Sequence, residues 1–467
     1  MRRLHEWYLQ ACRNCDRYLT VAVRDEHYFR GKEEVNLEFE ELFQLFNQDA
    51  LDKSVISCYC LFHFIILIIE LNNGVVLVMD SKRKEHGEWA NMAALLQRAW
   101  KWFINTVPDK LRMELTFKDR LQKLITQQKM SAGGRKTACV TGGNGYIASA
   151  LIKMLLHKGY SVKTTVRDPD DMEKNSHLID LQSLGPLEIF RAELDIDGSF
   201  DEAVAGCHYA FLVAAPMNLN PENPEKDVVE PAVRGTLNVM KSCVRAGSVK
   251  RVILTSSIAA VSSRPLQGDG HVLDEESWSD VEFLRAFVKS GAWAYPVSKV
   301  LLEKEACRFA LENGISLVTL CPVVTVGAAP TPKVQTSIPI ILSLLSGDEA
   351  MIETMKQIEM ATGSIPMVHV DDLCRAEIFV AEEESARGRY ICCSLNTTAK
   401  EIARFLAVTY PQYNVNIDRV ADLGDRPRIC VSSAKLIGEG FEYRYKTLEQ
   451  IYDDVVDYAK ATGILPA

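Results

Sequence analysis

From Thr137 onward, short apolar runs alternate with segments whose apolar residues recur every three or four positions. Thr137-Ala-Cys-Val-Thr141 reads as a buried strand. Ser149 to Lys158 then places Leu151, Ile152, Leu155 and Leu156 on one helical face. Tyr160–Arg167, Leu187–Arg191, Tyr209–Ala214, Arg251–Thr255 and Ile315–Leu320 continue the strands, with helices expected around Ala232 to Ala246 and Ser298 to Asn313. Such alternation predicts an α/β fold, a doubly wound parallel sheet with helices on both faces. No internal repeat or low-complexity tract interrupts it.

The chain before that point follows another pattern. Its longest apolar run, Val55 to Ile69, contains His63 and ends at Glu70. That run is too short to span a bilayer and reads as buried strands. From Gln127 to Lys136 the sequence turns polar and glycine-bearing, without apolar periodicity, which marks a linker. The expected organisation is therefore an N-terminal α+β fragment over residues 1–130, a linker at 131–135 and the α/β part over 136–467.

Composition narrows the class. With 467 residues the chain has room for two or three domains, and 47% hydrophobic with 25% charged residues is ordinary for a soluble globular protein. A formal net charge of −9 argues against nucleic acid as a partner. The 13 cysteines lack a framework of regular spacings and read as reduced thiols in a cytoplasmic protein. Met1-Arg-Arg-Leu-His-Glu-Trp7 lacks the apolar core of a signal peptide. Cys12-x-x-Cys15 and Cys58-x-Cys60 do not combine into zinc-ribbon spacing, so no metal is expected.

Chemistry concentrates at three places. In Thr141-Gly-Gly-Asn-Gly-Tyr-Ile-Ala148, Gly142, Gly145 and Ala148 match the Gly-x-x-Gly-x-x-Gly/Ala spacing. The first glycine turns the chain out of the strand, the next admits a pyrophosphate against the backbone, and the small third residue lets helix and sheet pack closely. The second strand ends in Val166-Arg167-Asp168, and Arg167 there suits a ribose 2′-phosphate, with Lys174 as a second positive charge. This favours NADPH over NADH. The alternative is that Asp168 reads the ribose.

Ser256-Ser257 stands at the end of an apolar strand, where open α/β sheets bind ligands. Tyr295-Pro-Val-Ser-Lys299 puts a phenol and an ammonium on one helix face, an arrangement in which the cation lowers the phenol's pKa toward working pH. Ser257 is expected to bond the substrate oxygen, Tyr295 to carry the proton, and Lys299 to support Tyr295 and contact the nicotinamide ribose. Pattern alone leaves open which of Ser256 and Ser257 faces the site.

These motifs in this order resemble the extended short-chain dehydrogenase/reductases, and within them the plant dihydroflavonol and anthocyanidin reductase group. The resemblance runs from about Lys136 to the C-terminus. It includes Thr164-Thr-Val-Arg-Asp-Pro-Asp170, Val249-Lys-Arg-Val-Ile-Leu-Thr-Ser-Ser257, Asp274-Glu-Glu-Ser-Trp-Ser-Asp280 and Gly388-Arg-Tyr-Ile-Cys-Cys393. The wording around Tyr295 and the insert Gln267-Gly-Asp-Gly-His271 are most like the anthocyanidin reductases.

The resemblance implies a Rossmann-type cofactor core over about 136–325 and a smaller substrate-binding part over 326–467. It also implies NADPH-dependent reduction of a small flavonoid, an anthocyanidin going to a flavan-3-ol. Tyr146 and Ile147 would belong to the cofactor loop, Val213, Ala214 and Pro216 would line the cofactor, and Pro322 and Ser337 would stand near its nicotinamide end. Ala192-Glu-Leu194 and Ala214-Ala-Pro216 depart from the group's usual Ala-Asp-Leu and Ala-Thr-Pro. The rival readings are dihydroflavonol-type ketone reduction and a non-catalytic NADP-binding protein. The oligomeric state stays open between monomer and weak dimer.

Residues 1–130 fall outside that group. Asp49 to Cys60 and His63 to Asp80 resemble ubiquitin-like-protein-specific cysteine proteases of transposon-derived plant genes. No cysteine occurs between Cys60 and Cys139, so the block that should carry a nucleophile is missing. The region reads as a truncated remnant whose open sheet edges favour poor order. A chain beginning near Gly134 is therefore expected to keep full reductase activity, and loss of turnover on that truncation would refute the remnant reading.

Overall fold

The computed structural model describes residues 135–216, 221–265, 270–287, 291–332 and 334–466, and before them the backbone of five strands. The chain divides into two units, 1–134 and 135–467. In the first, β1 (Tyr18–Ala22) pairs antiparallel with β2 (Glu34–Glu38). β3 (Ile56–Cys60), β4 (Ile65–Glu70) and β5 (Val75–Asp80) form an antiparallel meander. Two of these strands, β3 and β4, fall at the apolar stretch that the sequence reads as buried strands. The protease-like reading turns on His63 and on side chains that lie outside the described residues.

The second unit is built on seven parallel strands: β6 (Thr137–Thr141), β7 (Ser161–Val166), β8 (Leu187–Arg191), β9 (Tyr209–Leu212), β10 (Arg251–Thr255), then β12 (Leu317–Pro322) and β15 (Gly388–Cys392). Their order across the sheet is β15-β12-β10-β9-β6-β7-β8. Chain order therefore reverses between β6 and β9, which opens a crevice at the carboxyl ends of those two strands. Two small sheets accompany it, β11 (His271–Leu273) with β17 (Ile429–Val431), and β13 (Val324–Val326) with β14 (Ile365–His369) and β16 (Leu395–Thr397).

Both faces of the large sheet are covered over the central strands β6, β9, β10 and β12, which are accordingly buried along nearly their whole length, whereas the edge strand β8 keeps exposed positions. On one face Ala138, Val140, Phe211, Ile253, Val318 and Leu320 join the core beneath α1 (Tyr146–His157) and residues of the C-terminal part. On the other, Cys139, Ala210, Leu212, Val252 and Leu254 pack against α3 (Glu230–Ala246) and α4 (Ala294–Asn313). Between them in sequence lies α2 (Met172–Leu181). Later come α5 (Ser337–Ser346), α6 (Glu349–Thr362), α7 (Val370–Glu382), α8 (Ala399–Thr409) and α9 (Leu448–Ala461).

The segment after residue 326 is not set apart from the sheet. β15 is the sheet's own edge strand, paired parallel with β12, and side chains of α7, α8 and α9 share the apolar cluster under α1. No helix among the described residues is long and apolar enough to cross a membrane.

One carboxyl group is enclosed in this packing. Glu377 on α7 is fully buried, and Thr255 at the end of β10 donates its hydroxyl to Glu377 Oε1 at 2.7 Å. The other oxygen has no hydrogen-bond partner among the described residues. Burial pushes this carboxyl up to about 7 from its ordinary 4.5. Between those values the folded chain holds a proton that the unfolded chain has lost, so stability falls as pH rises from 4.5 to about 7 and then levels off. A change of that size corresponds to about 3 kcal/mol. Glu377→Gln, which cannot titrate, is expected to escape this loss: in urea denaturation at about pH 5 and about pH 8, the wild type should lose about 3 kcal/mol more than the variant. Parallel pH profiles would contradict the assignment.

Candidate active site

The crevice is closed at its base by a threonine. Thr141, the last residue of β6, accepts hydrogen bonds at its hydroxyl from the amides of Val213 and Ala214, both at 3.0 Å. This fastens the segment after β9 to the start of the glycine loop. Gly142 has φ +72° and donates its amide to Thr165 Oγ1 at 3.2 Å. A Cβ on Gly142 would lie 3.0 Å from Ala214 Cβ, and one on Gly143 would lie 2.2 Å from Thr164 Oγ1. Gly143, outside the three-position spacing, is thus the more tightly enclosed of the two. Gly145 precedes α1 as a cap with no side chain, and the first turn carries no acidic residue. The leading amides of α1 and the positive end of its dipole therefore face the crevice without a side-chain oxygen competing for them. This cradle fits a dinucleotide pyrophosphate.

The other loop residues serve its shape. Ala148 is buried, and Ile147 packs against the core. Tyr146 is buried as well, with its hydroxyl donated to the carbonyl of Gly327 at 2.7 Å. Asn144 donates to Asn175 Oδ1 at 3.3 Å, and Asn175 donates to the carbonyl of Asp168 at 2.7 Å, which ties the loop after β7 to the glycine turn. Arg167 stands exposed at the end of β7. Lys174, one of the two expected cations, is ion-paired with Asp171, the residue that caps α2. Its charge is thereby partly offset within its own helix.

The serine pair divides by the alternation of β10. Ser256 is buried and donates to Glu303 Oε2 at 2.8 Å, pointing into α4. Ser257 is half-buried, and its oxygen accepts the amide of Ala259 at 3.2 Å, capping a single turn. Its own O–H has no acceptor among the described residues, so Ser257 is the hydroxyl left for a ligand. Tyr295 sits half-buried in the first turn of α4, where Pro296 costs no hydrogen bond. Lys299, one turn on, is only 5% exposed. Its Nζ donates to the carbonyl of Thr255 at 3.3 Å and lies 5.7 Å from the centre of the Tyr295 ring.

Val213, Ala214 and Pro216 are half-buried at the end of β9, across from Gly142. Pro322 closes β12 and is buried. Ser337 opens α5, with its hydroxyl donated to the carbonyl of Thr325 at 2.6 Å, so that group is engaged by the fold.

The sequence reading missed a charged network behind the serine pair. Glu303 is fully buried on α4 and paired with Arg389 of β15. Burial holds its carboxyl above the usual range, although Arg389 beside it pulls the other way. Arg389 also donates to the carbonyls of Glu275 at 2.7 Å and Ser277 at 3.0 Å, and stacks 3.6 Å over the Trp278 ring. The four-residue spacing Tyr295, Lys299, Glu303 was the available signal, since it puts all three on one stripe of α4.

A model of the NAD dependent epimerase/dehydratase family matches residues 138–393, from the strand before the glycine loop through the seventh strand. The chain belongs to that family. An anthocyanidin reductase ((2S)-flavan-3-ol-forming) of Vitis vinifera is 52% identical over 332 residues, covering 71% of this chain and 97% of the relative. Among solved structures, vestitone reductase from alfalfa (Medicago sativa) is 37% identical with a TM-score of 0.61, covering 71% of this chain and 100% of that one. Gre2 of Candida albicans, solved with NADPH, is 26% identical with a TM-score of 0.59 and covers 70% of this chain and 99% of its own.

Gly142→Ala would force a side chain into a left-handed conformation against Ala214. It is expected to weaken nicotinamide dinucleotide binding, read by fluorescence titration, by about tenfold or more, a loss of about 1.4 kcal/mol. Unchanged affinity would show that the cradle does not hold the cofactor.

Proposed function

We propose that this chain is an NADPH-dependent reductase of flavonoids that converts an anthocyanidin to a flavan-3-ol. The observation that carries the reading is the buried ammonium of Lys299, held at the end of β10 beside the Tyr295 ring. The likeness to the Vitis vinifera anthocyanidin reductase over nearly that enzyme's whole length supports the substrate class. The chain is an oxidoreductase, and its place of work is the cytoplasm.

In this reading Gly142, Gly143, Gly145 and the leading amides of α1 hold the pyrophosphate. Arg167 meets the ribose 2′-phosphate that distinguishes NADPH from NADH, with Lys174 close behind it. Val213, Ala214 and Pro216 form the facing wall, and Pro322 stands at the nicotinamide end. Bound there, NADPH supplies a hydride. Ser257 donates a hydrogen bond to the substrate oxygen and orients it. Tyr295 delivers the proton, and the Lys299 ammonium stabilises negative charge developing on the phenolic oxygen. Because Lys299 is anchored to Thr255, that charge is fixed in place before substrate arrives.

A flavylium cation is already electrophilic, so its first hydride transfer needs little help from an acid, whereas the flavan-3-ol requires a second hydride and a proton, which Tyr295 would deliver. The complete set of Ser257, Tyr295 and Lys299 is more than that first step requires. This favours, as a second reading, reduction of a flavonoid ketone such as a dihydroflavonol. A non-catalytic role fits poorly with three such groups kept in place. The test is NADPH consumption with cyanidin, dihydroquercetin and a hydroxycinnamoyl-CoA, with products identified. Tyr295→Phe is expected to lower ketone reduction by about 10²-fold or more while sparing some hydride transfer to the anthocyanidin. Equal and complete loss on both substrates would contradict this division of labour.

A further inference from the structure

We propose that Glu303 and Glu377 are positioning residues, two buried carboxyl groups that grip the carboxyl end of β10 from opposite faces of the sheet and thereby set where Ser257 and Lys299 stand. The inference rests on the reading of Ser257, Tyr295 and Lys299 as the reacting trio.

Successive side chains of a strand point to opposite faces. On β10, Arg251 and Thr255 face α7: Arg251 donates to the carbonyl of Val380 at 2.7 Å, and Thr255 donates to Glu377 at 2.7 Å. Ser256 faces α4 and donates to Glu303 at 2.8 Å. Two adjacent hydroxyls are thus bound in opposite directions, while the carbonyl of Thr255 receives Lys299 at 3.3 Å. Three bonds converge on one dipeptide, so the strand end cannot turn about its axis without breaking one of them. Ser257 is the next residue and inherits that orientation. A buried hydroxyl-to-carboxyl bond is costly to break, because the partner left behind has no water to turn to, which suits these bonds to this task.

The surroundings support a positional role. Glu303 is itself fixed by Arg389, which holds the 275–278 segment through two carbonyls and the Trp278 ring. Cys321 Sγ lies 3.9 Å from Glu303 Oε2, and Lys299 and Cys307 on α4 also face that carboxyl. Glu377 faces Thr255, with Cys374 of its own helix and Cys392 of β15 as titratable neighbours. Enclosing two carboxyl groups costs stability compared with apolar residues of similar size. A core built for stability alone would gain nothing from them.

Thr255 gives the sharpest test in the full-length protein. Thr255→Val keeps the side-chain volume and removes the hydroxyl, whereas Thr255→Ser keeps the hydroxyl and leaves a small cavity. The expected result is a kcat about tenfold or more lower in Thr255→Val, with KM and NADPH affinity nearly unchanged. Most of the rate should return in Thr255→Ser despite its poorer packing. On the other face, Ser256→Ala and Glu303→Gln should each lower kcat, and together no further than the worse single variant. If Glu303→Gln does not fold, Ser256→Ala carries that arm. A wild-type kcat in Thr255→Val, or rates that follow thermal midpoint rather than the hydroxyl, would overturn the proposal. Tyr295→Phe run alongside separates the failures. Full ketone reduction in Tyr295→Phe would sink the trio and the clamp with it. Loss in Tyr295→Phe with a wild-type rate in Thr255→Val would sink the clamp alone.

Discussion

The hydrogen bond from the Lys299 ammonium to the carbonyl of Thr255 joins the two elements that matter most in this molecule. One is a strand buried on both faces, whose position is dictated by its neighbours in the sheet. The other is a helix whose inward stripe carries Tyr295, Lys299 and Glu303 where apolar residues would ordinarily be. A lysine with 5% of its surface exposed needs compensation for lost hydration, and a strand-end carbonyl supplies part of it. The charge is therefore installed by folding, and no rearrangement is needed to bring it beside Tyr295.

The rest of the site follows from the switch in strand order. Because β6 and β9 are neighbours whose following segments diverge, Thr141 can hold the one while Gly142 and Gly143 turn away against the other and against Thr164. The same topology exposes the amino end of α1, with neither a side-chain cap nor an acidic residue, to the crevice. In the proposed reading, phosphate binding and proton delivery fall to different strand ends of one sheet. This is the division a hydride-transfer enzyme requires, since the dinucleotide spans both.

Much of this was legible in the residues. The strands at Thr137–Thr141, Leu187–Arg191 and Arg251–Thr255 fall where the apolar runs put them. Burial on both faces makes the central runs, Thr137–Thr141 and Arg251–Thr255, hard to mistake. The helix at Tyr295 begins at Ala294, before the expected Ser298, since Pro296 is tolerated in a first turn. The seventh strand, Gly388–Cys392, is hard to see in the residues, since it opens on Gly388-Arg389 and is short. Its Arg389 looks like a surface residue until Glu303 and two distant carbonyls are seen to take its donors. The choice between Ser256 and Ser257 depended on which helix covers which face, and strand periodicity cannot supply that. Ser337 came by resemblance, and nothing in its neighbours announced that Thr325 would hold its hydroxyl.

Turnover of Lys299→Met on a flavonoid ketone tests the central claim most directly, because methionine keeps much of the side chain's length and removes the ammonium with its bond to Thr255. The account predicts a kcat lower by about 10²-fold or more, with an unchanged circular dichroism spectrum and a folded chain. Turnover at the wild-type rate would contradict it, since the ammonium at the end of β10 would then have no part in the chemistry.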